Sequence, residues 1–145
     1  MRVNPTPDVA PRLLIVDDEP NICSLLRELL SKQDYQIDTC LSGQDALAKM
    51  AEAHYDMLIS DLKMPGINGI DLIKTVKAQS PDTATVLVTG YATVETAVKA
   101  LRHGADDYVT KPFNIEELRK VVSRGLESKQ LREENNSLLE MLQSA

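Results

Sequence analysis

Four apolar runs of this chain stop at residues that a metal and phosphate site needs: LLIV before Asp17-Asp18, MLIS before Asp61, VLV before Thr89, and DYVT before Lys111. A fifth run, YQIDTC, carries no such residue. Three carboxylates, a hydroxyl and an amine would thus be delivered at strand ends. Clustered carboxylates repel by about 4 kcal/mol for a pair 4 Å apart at intermediate dielectric. Such a cluster takes up protons or binds a cation. Mg2+, a hard ion with oxygen ligands, suits an open site that keeps waters for a phosphate to displace. Lys111 supplies too little charge to neutralise three carboxylates, but it matches a phosphoryl oxygen, and Thr89 offers a donor to the same oxygen. One carboxylate is then left as a nucleophile, and an aspartyl phosphate is an established covalent species. Singly, each residue has a plainer explanation as a turn former, helix cap or solvated charge. Their joint placement carries the reading.

That placement depends on the elements between them. The uniformly aliphatic Leu13–Val16 reads as a strand, followed by a helix opening at Pro20 with Ile22, Leu25, Leu26, Leu29 and Leu30 at helical spacing. A short strand over Tyr35–Cys40 precedes Ser42 and Asp45, which resemble an N-capping pair for a helix through Leu47 and Met50. Met57–Ser60 is the third strand, and Met64-Pro65-Gly66 breaks regular structure before a helix through Ile70, Ile73 and Val76. Strand four covers Ala84–Val88. A helix through Val94, Ala97, Val98 and Leu101 stops at Gly104, and the short Asp107–Val109 is the fifth strand.

Five strands alternating with five helices predict a parallel sheet covered on both faces. Runs one, three and four are continuously apolar, as strands buried on both faces should be, while runs two and five are polar and interrupted, as edges should be. The order 2-1-3-4-5 follows, a doubly wound α/β fold whose crevice lies between strands one and three at their carboxyl ends. Asp17, Asp18 and Asp61 would meet there, with Thr89 and Lys111 on the same edge.

Composition narrows the function. The chain of 145 residues is the size of one domain and has a formal net charge of -6. That charge argues against direct nucleic-acid contact, which needs a basic face. Cys23 and Cys40 are the only cysteines and read as buried free thiols. Residues 1–11, with prolines at 5, 7 and 11, read as a flexible tail and not a signal peptide. No run reaches membrane-spanning length, so a cytoplasmic setting without membrane contact is expected.

The motifs LLIVDDEP, ISDLKMPGINGIDL and VLVTGYATVETAVKALRHGADDYVTKPF, in this order, resemble the receiver domain of bacterial two-component response regulators. The resemblance covers about Leu13 to Leu126 and implies a flavodoxin-like fold. It implies that a sensor histidine kinase donates a phosphoryl group to Asp61, and that Asp17, Asp18, Asp61 and the backbone carbonyl of Lys63 hold Mg2+. Thr89 then corresponds to the switch hydroxyl, Tyr108 to the aromatic switch, and Lys111 to the phosphate-pairing lysine before a usually cis proline, Pro112. Such a domain is a signalling module and not an enzyme, with at most slow autodephosphorylation. Lys63 and Tyr91 occupy the positions flanking the hydrolytic water's approach, and neither orients water well, so a long-lived phosphoryl group is expected.

Asn114 and Glu117 resemble a capping pair for the last helix. Helix formers continue to Leu142, a length of about 43 Å at 1.5 Å per residue, which overshoots a domain spanning 12–126. Over 127–145, Leu131, Asn135, Leu138 and Leu142 form a short heptad seam that predicts a homodimer through this extension. Gly125 reads as a hinge at the junction. The ending, with DLKMPG and KPFNIEEL, is similar to the nitrogen-regulatory subfamily, where a linker helix joins the receiver to a sigma-54-type ATPase output domain; no G-x-x-x-x-G-K-[ST] motif occurs here. Two alternatives fit less well. A flavodoxin-like FMN-binding module needs a hydroxyl- and glycine-rich loop where DDEPN stands. An aspartate-nucleophile phosphatase needs a D-x-D pair after strand one.

Overall fold

A computed structural model describes residues 10–90 and 93–144. The first nine residues of the expected tail, Tyr91 and Ala145 lie outside the described residues. The strands are β1 (Arg12–Val16), β2 (Gln36–Cys40), β3 (Met57–Ser60), β4 (Ala84–Thr89) and β5 (Asp107–Thr110). Between and after them run α1 (Pro20–Leu30), α2 (Gly43–Glu52), α3 (Gly69–Gln79), α4 (Val94–Arg102) and α5 (Ile115–Ser144). All neighbouring strands pair in parallel, in the order β2-β1-β3-β4-β5.

The central strands are buried throughout apart from Arg12, whereas β2 and β5 are partly exposed. Side chains alternate across the sheet because a strand has a period of two. Leu14, Val16, Leu58 and Leu87 therefore join Ile73 and Val76 of α3 and Ala100 of α4 in one core layer. Leu13, Ile15, Ile59, Val86 and Val88 join Leu26 of α1 and Leu118 and Val122 of α5 in the other. Burying a side chain of this size is worth about 1.5–3 kcal/mol, so the two layers set the strand register.

Local signals fix the helix ends. Pro20 opens α1, and Ser42 and Asn68 accept from the backbone N–H groups of Asp45 and Asp71. Thr93 and Thr96 cap α4 reciprocally. Gly104 follows that helix at φ +109, the left-handed conformation that glycine adopts without steric cost. Asn114 Oδ1 accepts from Glu116 and Glu117 at 2.8 and 3.3 Å to start α5.

Gly125 does not interrupt α5, which runs unbroken to Ser144. A Cβ there would stand 2.5 Å from Met57 Cε, so the glycine marks close packing of α5 on β3 and not a bend. Contact with the sheet end also passes Leu126: Lys129 is buried and its Nζ lies 3.2 Å from Asp56 Oδ1. Beyond it, Leu131, Leu138 and Leu142 are exposed.

Candidate functional site

The ladder continues one residue past the strand ends. Asp17 donates its N–H to Cys40 at 3.2 Å, Asp61 to Val16 at 3.0 Å, and Lys111 to the Thr89 carbonyl at 2.9 Å. Parallel pairing thereby lines these residues along the carboxyl edge, where the fold leaves a crevice. Asp17 and Asp61 are only 2 % and 7 % exposed, and Thr89 is fully buried at the end of β4.

Lys111 joins the carboxylates. Its Nζ donates to Asp17 Oδ2 at 2.9 Å and lies 3.6 Å from Asp61 Oδ1. Asp17 Oδ1 accepts from the Glu19 N–H at 2.9 Å, and Asp61 Oδ1 from the Leu62 N–H at 2.8 Å. Burial raises the Asp61 carboxyl above its ordinary value, and Asp17 and Asp18 push the same way; Lys111 and the Leu62 N–H oppose without cancelling them. For Lys111, burial works against the charge, but the hydrogen bond and charge of Asp17, aided by Asp61, outweigh it and raise the ammonium.

Asp18 is exposed and stands beside Asp17 and Glu19, the oxygens of the three carboxylates lying within 4.8 Å of one another. Glu19 was not anticipated from the sequence, although DDEP displays it. Asp61 is tied to this trio through Lys111. The donor set is all oxygen and strongly anionic, so it fits a hard divalent cation. Lys63 is exposed two residues past Asp61, and the Lys111–Pro112 peptide is cis.

Gly69 is a second residue that the sequence reading passed over. Its N–H donates to the Leu62 carbonyl at 2.8 Å, folding the loop back on β3. A Cβ at Gly69 would fall 2.1 Å from the Asp61 carbonyl oxygen, a distance no side chain tolerates. The only available signal was a glycine after a Pro-Gly turn.

Tyr108 is half-buried against the core layer of α3 and α4, and its hydroxyl lies 3.3 Å from Thr96 Oγ1. The structure thus brings Asp17, Asp18, Asp61, Thr89 and Lys111 to one edge and sets Tyr108 against α4. No helix among the described residues is long and apolar enough to cross a membrane.

Comparison with known proteins agrees with this architecture. The response regulator receiver domain family matches residues 13–123. The regulatory protein AtoC of Escherichia coli K12 is 38% identical over 134 residues, covering 92% of this chain and 29% of AtoC. Among solved structures, NtrX from Brucella abortus superimposes with a TM-score of 0.84 at 32% identity, covering 90% of this chain and 30% of that one. The BeF3-activated receiver domain of DrrB gives 0.77 at 34% identity, covering 82% and 99%. The chain therefore spans less than a third of AtoC and NtrX.

Proposed function

The chain belongs to the response regulator receiver domain family, a signalling domain of two-component systems, and from that membership we propose that Asp61 is its phosphoacceptor. The observation that carries the reading is Lys111 Nζ held between Asp17 and Asp61, at 2.9 and 3.6 Å, at the carboxyl edge of the sheet.

The donor is the phosphohistidine of a sensor kinase. An Asp61 oxygen attacks phosphorus in line, a P–O bond forms, the P–N bond breaks, and the imidazole nitrogen leaves with the bonding pair and takes a proton. Burial, the Leu62 N–H and Lys111 hold the Asp61 carboxylate in place, which suits a nucleophile that must attack in line. Lys111 can transfer a hydrogen bond from Asp17 to a phosphoryl oxygen, and Thr89, at the adjacent strand end, can move to donate to another. Asp17, Asp18, Asp61 and the Lys63 carbonyl would hold Mg2+, which when bound offsets charge on the carboxylates and the phosphoryl oxygens.

The output follows from coupling. Movement of Thr89 vacates space toward which Tyr108 can turn, away from Thr96 of α4. Shifting such an equilibrium from 1:99 to 99:1 takes about 5.5 kcal/mol of differential stabilisation, which a few charge-assisted hydrogen bonds can supply. The exposed seam of Leu131, Leu138 and Leu142 supports a homodimer through α5. AtoC and NtrX extend well beyond the length of this chain. A sigma-54-type ATPase is thus the proposed output partner in a longer protein.

The alternatives are weaker on charge. Asp17, Asp18 and Glu19 surround the loop after β1, where a flavin phosphate would need donors. Incubation with Mg2+ and acetyl phosphate or beryllofluoride should yield an adduct in the wild type and none in Asp61→Asn, read by intact mass and by Tyr108 resonances. An equal response from Asp61→Asn rejects the assignment. Sedimentation with and without beryllofluoride reads the dimer.

A further inference from the structure

A polar groove lies on the α1–α5 face, between the turn after α1, which contributes Gln33 and Tyr35, and the middle of α5. Because α1 starts beside Asp17 and its 11 residues span about 16 Å at 1.5 Å each, the groove is remote from the carboxylate edge. Its α5 wall presents Arg119, Lys120 and Ser123, with Arg124 and Glu127 at the far end.

The Nε of Arg119 is buried and has no hydrogen-bond partner. The guanidinium stays charged, so a buried N–H of it without a partner is left uncompensated within the chain. Among the described residues neither Arg119 nor Lys120 forms an ion pair, whereas Arg124, next along the helix, holds Asp107 at 2.5 Å. Two uncommitted cations therefore stand together on a protein whose net charge is -6. Around them the groove offers the Tyr35 phenol, the Gln33 amide and the Ser123 hydroxyl. Tyr35 is partly buried against the α1–α5 core layer, and its phenol is a hydrogen-bond donor at neutral pH.

We infer that this groove binds an acidic peptide segment of a partner protein, with Arg119 and Lys120 taking a carboxylate. Charge complementarity sets the sign of the occupant, and arginine's fork favours a planar carboxylate. Extent sets its kind. From Arg119 to Glu127 the wall runs about 12 Å along the helix, longer than one small anion. The amide of Gln33 and the hydroxyl of Ser123 suit peptide groups flanking the acidic residue, and Glu127 closes the far end against further negative charge.

The test uses the full chain, a fluorescein-labelled peptide alternating Glu and Ser over ten residues, its Gln-for-Glu counterpart, and inorganic phosphate. Anisotropy at low salt should show binding of the Glu peptide, with amide shifts centred on Tyr35, Arg119 and Lys120, and at least tenfold weaker binding of the Gln peptide. Arg119→Gln should weaken binding at least tenfold. Lys120→Gln, an exposed change that the fold tolerates, should weaken it several-fold, and both variants should still respond to beryllofluoride. Equal binding of the Gln peptide, shifts on another surface, or unchanged affinity in both variants overturns the inference. So does phosphate alone reproducing the same shifts at the same affinity, which would make this a small-anion site.

Discussion

Toward the amino end of the sheet, Asp56 and Asp106 ahead of β3 and β5, and Asp38 midway along β2, each meet matched donors. Asp38 Oδ2 accepts from Arg12 at 3.0 Å and from the Tyr55 hydroxyl at 2.5 Å, and the Arg12 guanidinium stacks 4.9 Å from the Tyr55 ring centroid. Asp56 takes the Arg12 N–H at 2.8 Å and Lys129 at 3.2 Å, and Asp106 takes Lys77 at 2.8 Å and the Thr85 N–H at 2.9 Å. At the carboxyl end, Lys111 stands between Asp17 and Asp61, and Asp18 and Glu19 crowd beside Asp17. The contrast shows in proton affinity. Tyr55 and then Arg12 hold the Asp38 carboxyl below its ordinary value, while burial and neighbouring carboxylates hold Asp61 above it. A carboxylate left short of positive charge by the fold is where the proposed cation and phosphoryl group would add it.

The contrast can be broken most severely at Gly69. Gly69→Ala drives a methyl into the Asp61 carbonyl, and urea denaturation should show a loss of about 3 kcal/mol. Any variant that survives should lose its beryllofluoride response, because the backbone carrying Asp61 must shift. A stability change within error would show that the close approach does not matter.

At the amino end, Tyr55→Phe deletes the hydroxyl held by Asp38 and should cost about 1–2 kcal/mol, with the beryllofluoride response intact. The pH dependence follows from the sign of the Asp38 shift. A depressed carboxyl contributes stability above the ordinary value of 3.8 and loses it as pH falls through the lower folded value. The Tyr55→Phe deficit should therefore be full at neutral pH and shrink in acid. A constant deficit would mean that the hydroxyl acts through packing alone.

The smallest effect has the opposite sign. The raised Asp61 carboxyl means that the folded protein holds a proton more tightly than the unfolded chain, so stability falls as pH rises from 3.8 through the raised folded value. Asp61→Asn removes that penalty and should stabilise chelator-treated protein by about 1 kcal/mol at neutral pH, with no gain in acid. Thermal melts at the two pH values measure it. Destabilisation by Asp61→Asn at neutral pH would mean that the carboxyl edge is balanced like the amino edge.

The two ends also differ in how far they could be read in advance. Asp17, Asp61, Thr89 and Lys111 were visible because each follows an apolar run, and strand order followed from which runs were unbroken. The amino-end pairs were not visible: Asp38 looks like the polar interruption of an edge strand, and its partners lie 17 and 26 residues away. Gly125 misled for the same reason. In sequence it is a helix breaker, and only the neighbouring Met57 explains it.

What the sequence determined by itself was the alternation of strand and helix, the central and edge strands, the helix caps, and which chemical groups reach the carboxyl edge. Those depend on burial periodicity and on hydrogen bonds a few residues long. Tertiary structure alone decided that Lys111 goes first to Asp17, 94 residues away, that Glu19 completes the carboxylate trio, and that Gly69 seats on Asp61. It also left Arg119 with a buried, unpaired Nε. The Lys111–Asp17 contact joins segments remote in the chain, while the carboxylate trio and the seat of Gly69 depend on how nearby loops fold back, and all are fixed only once two core layers have packed against one sheet.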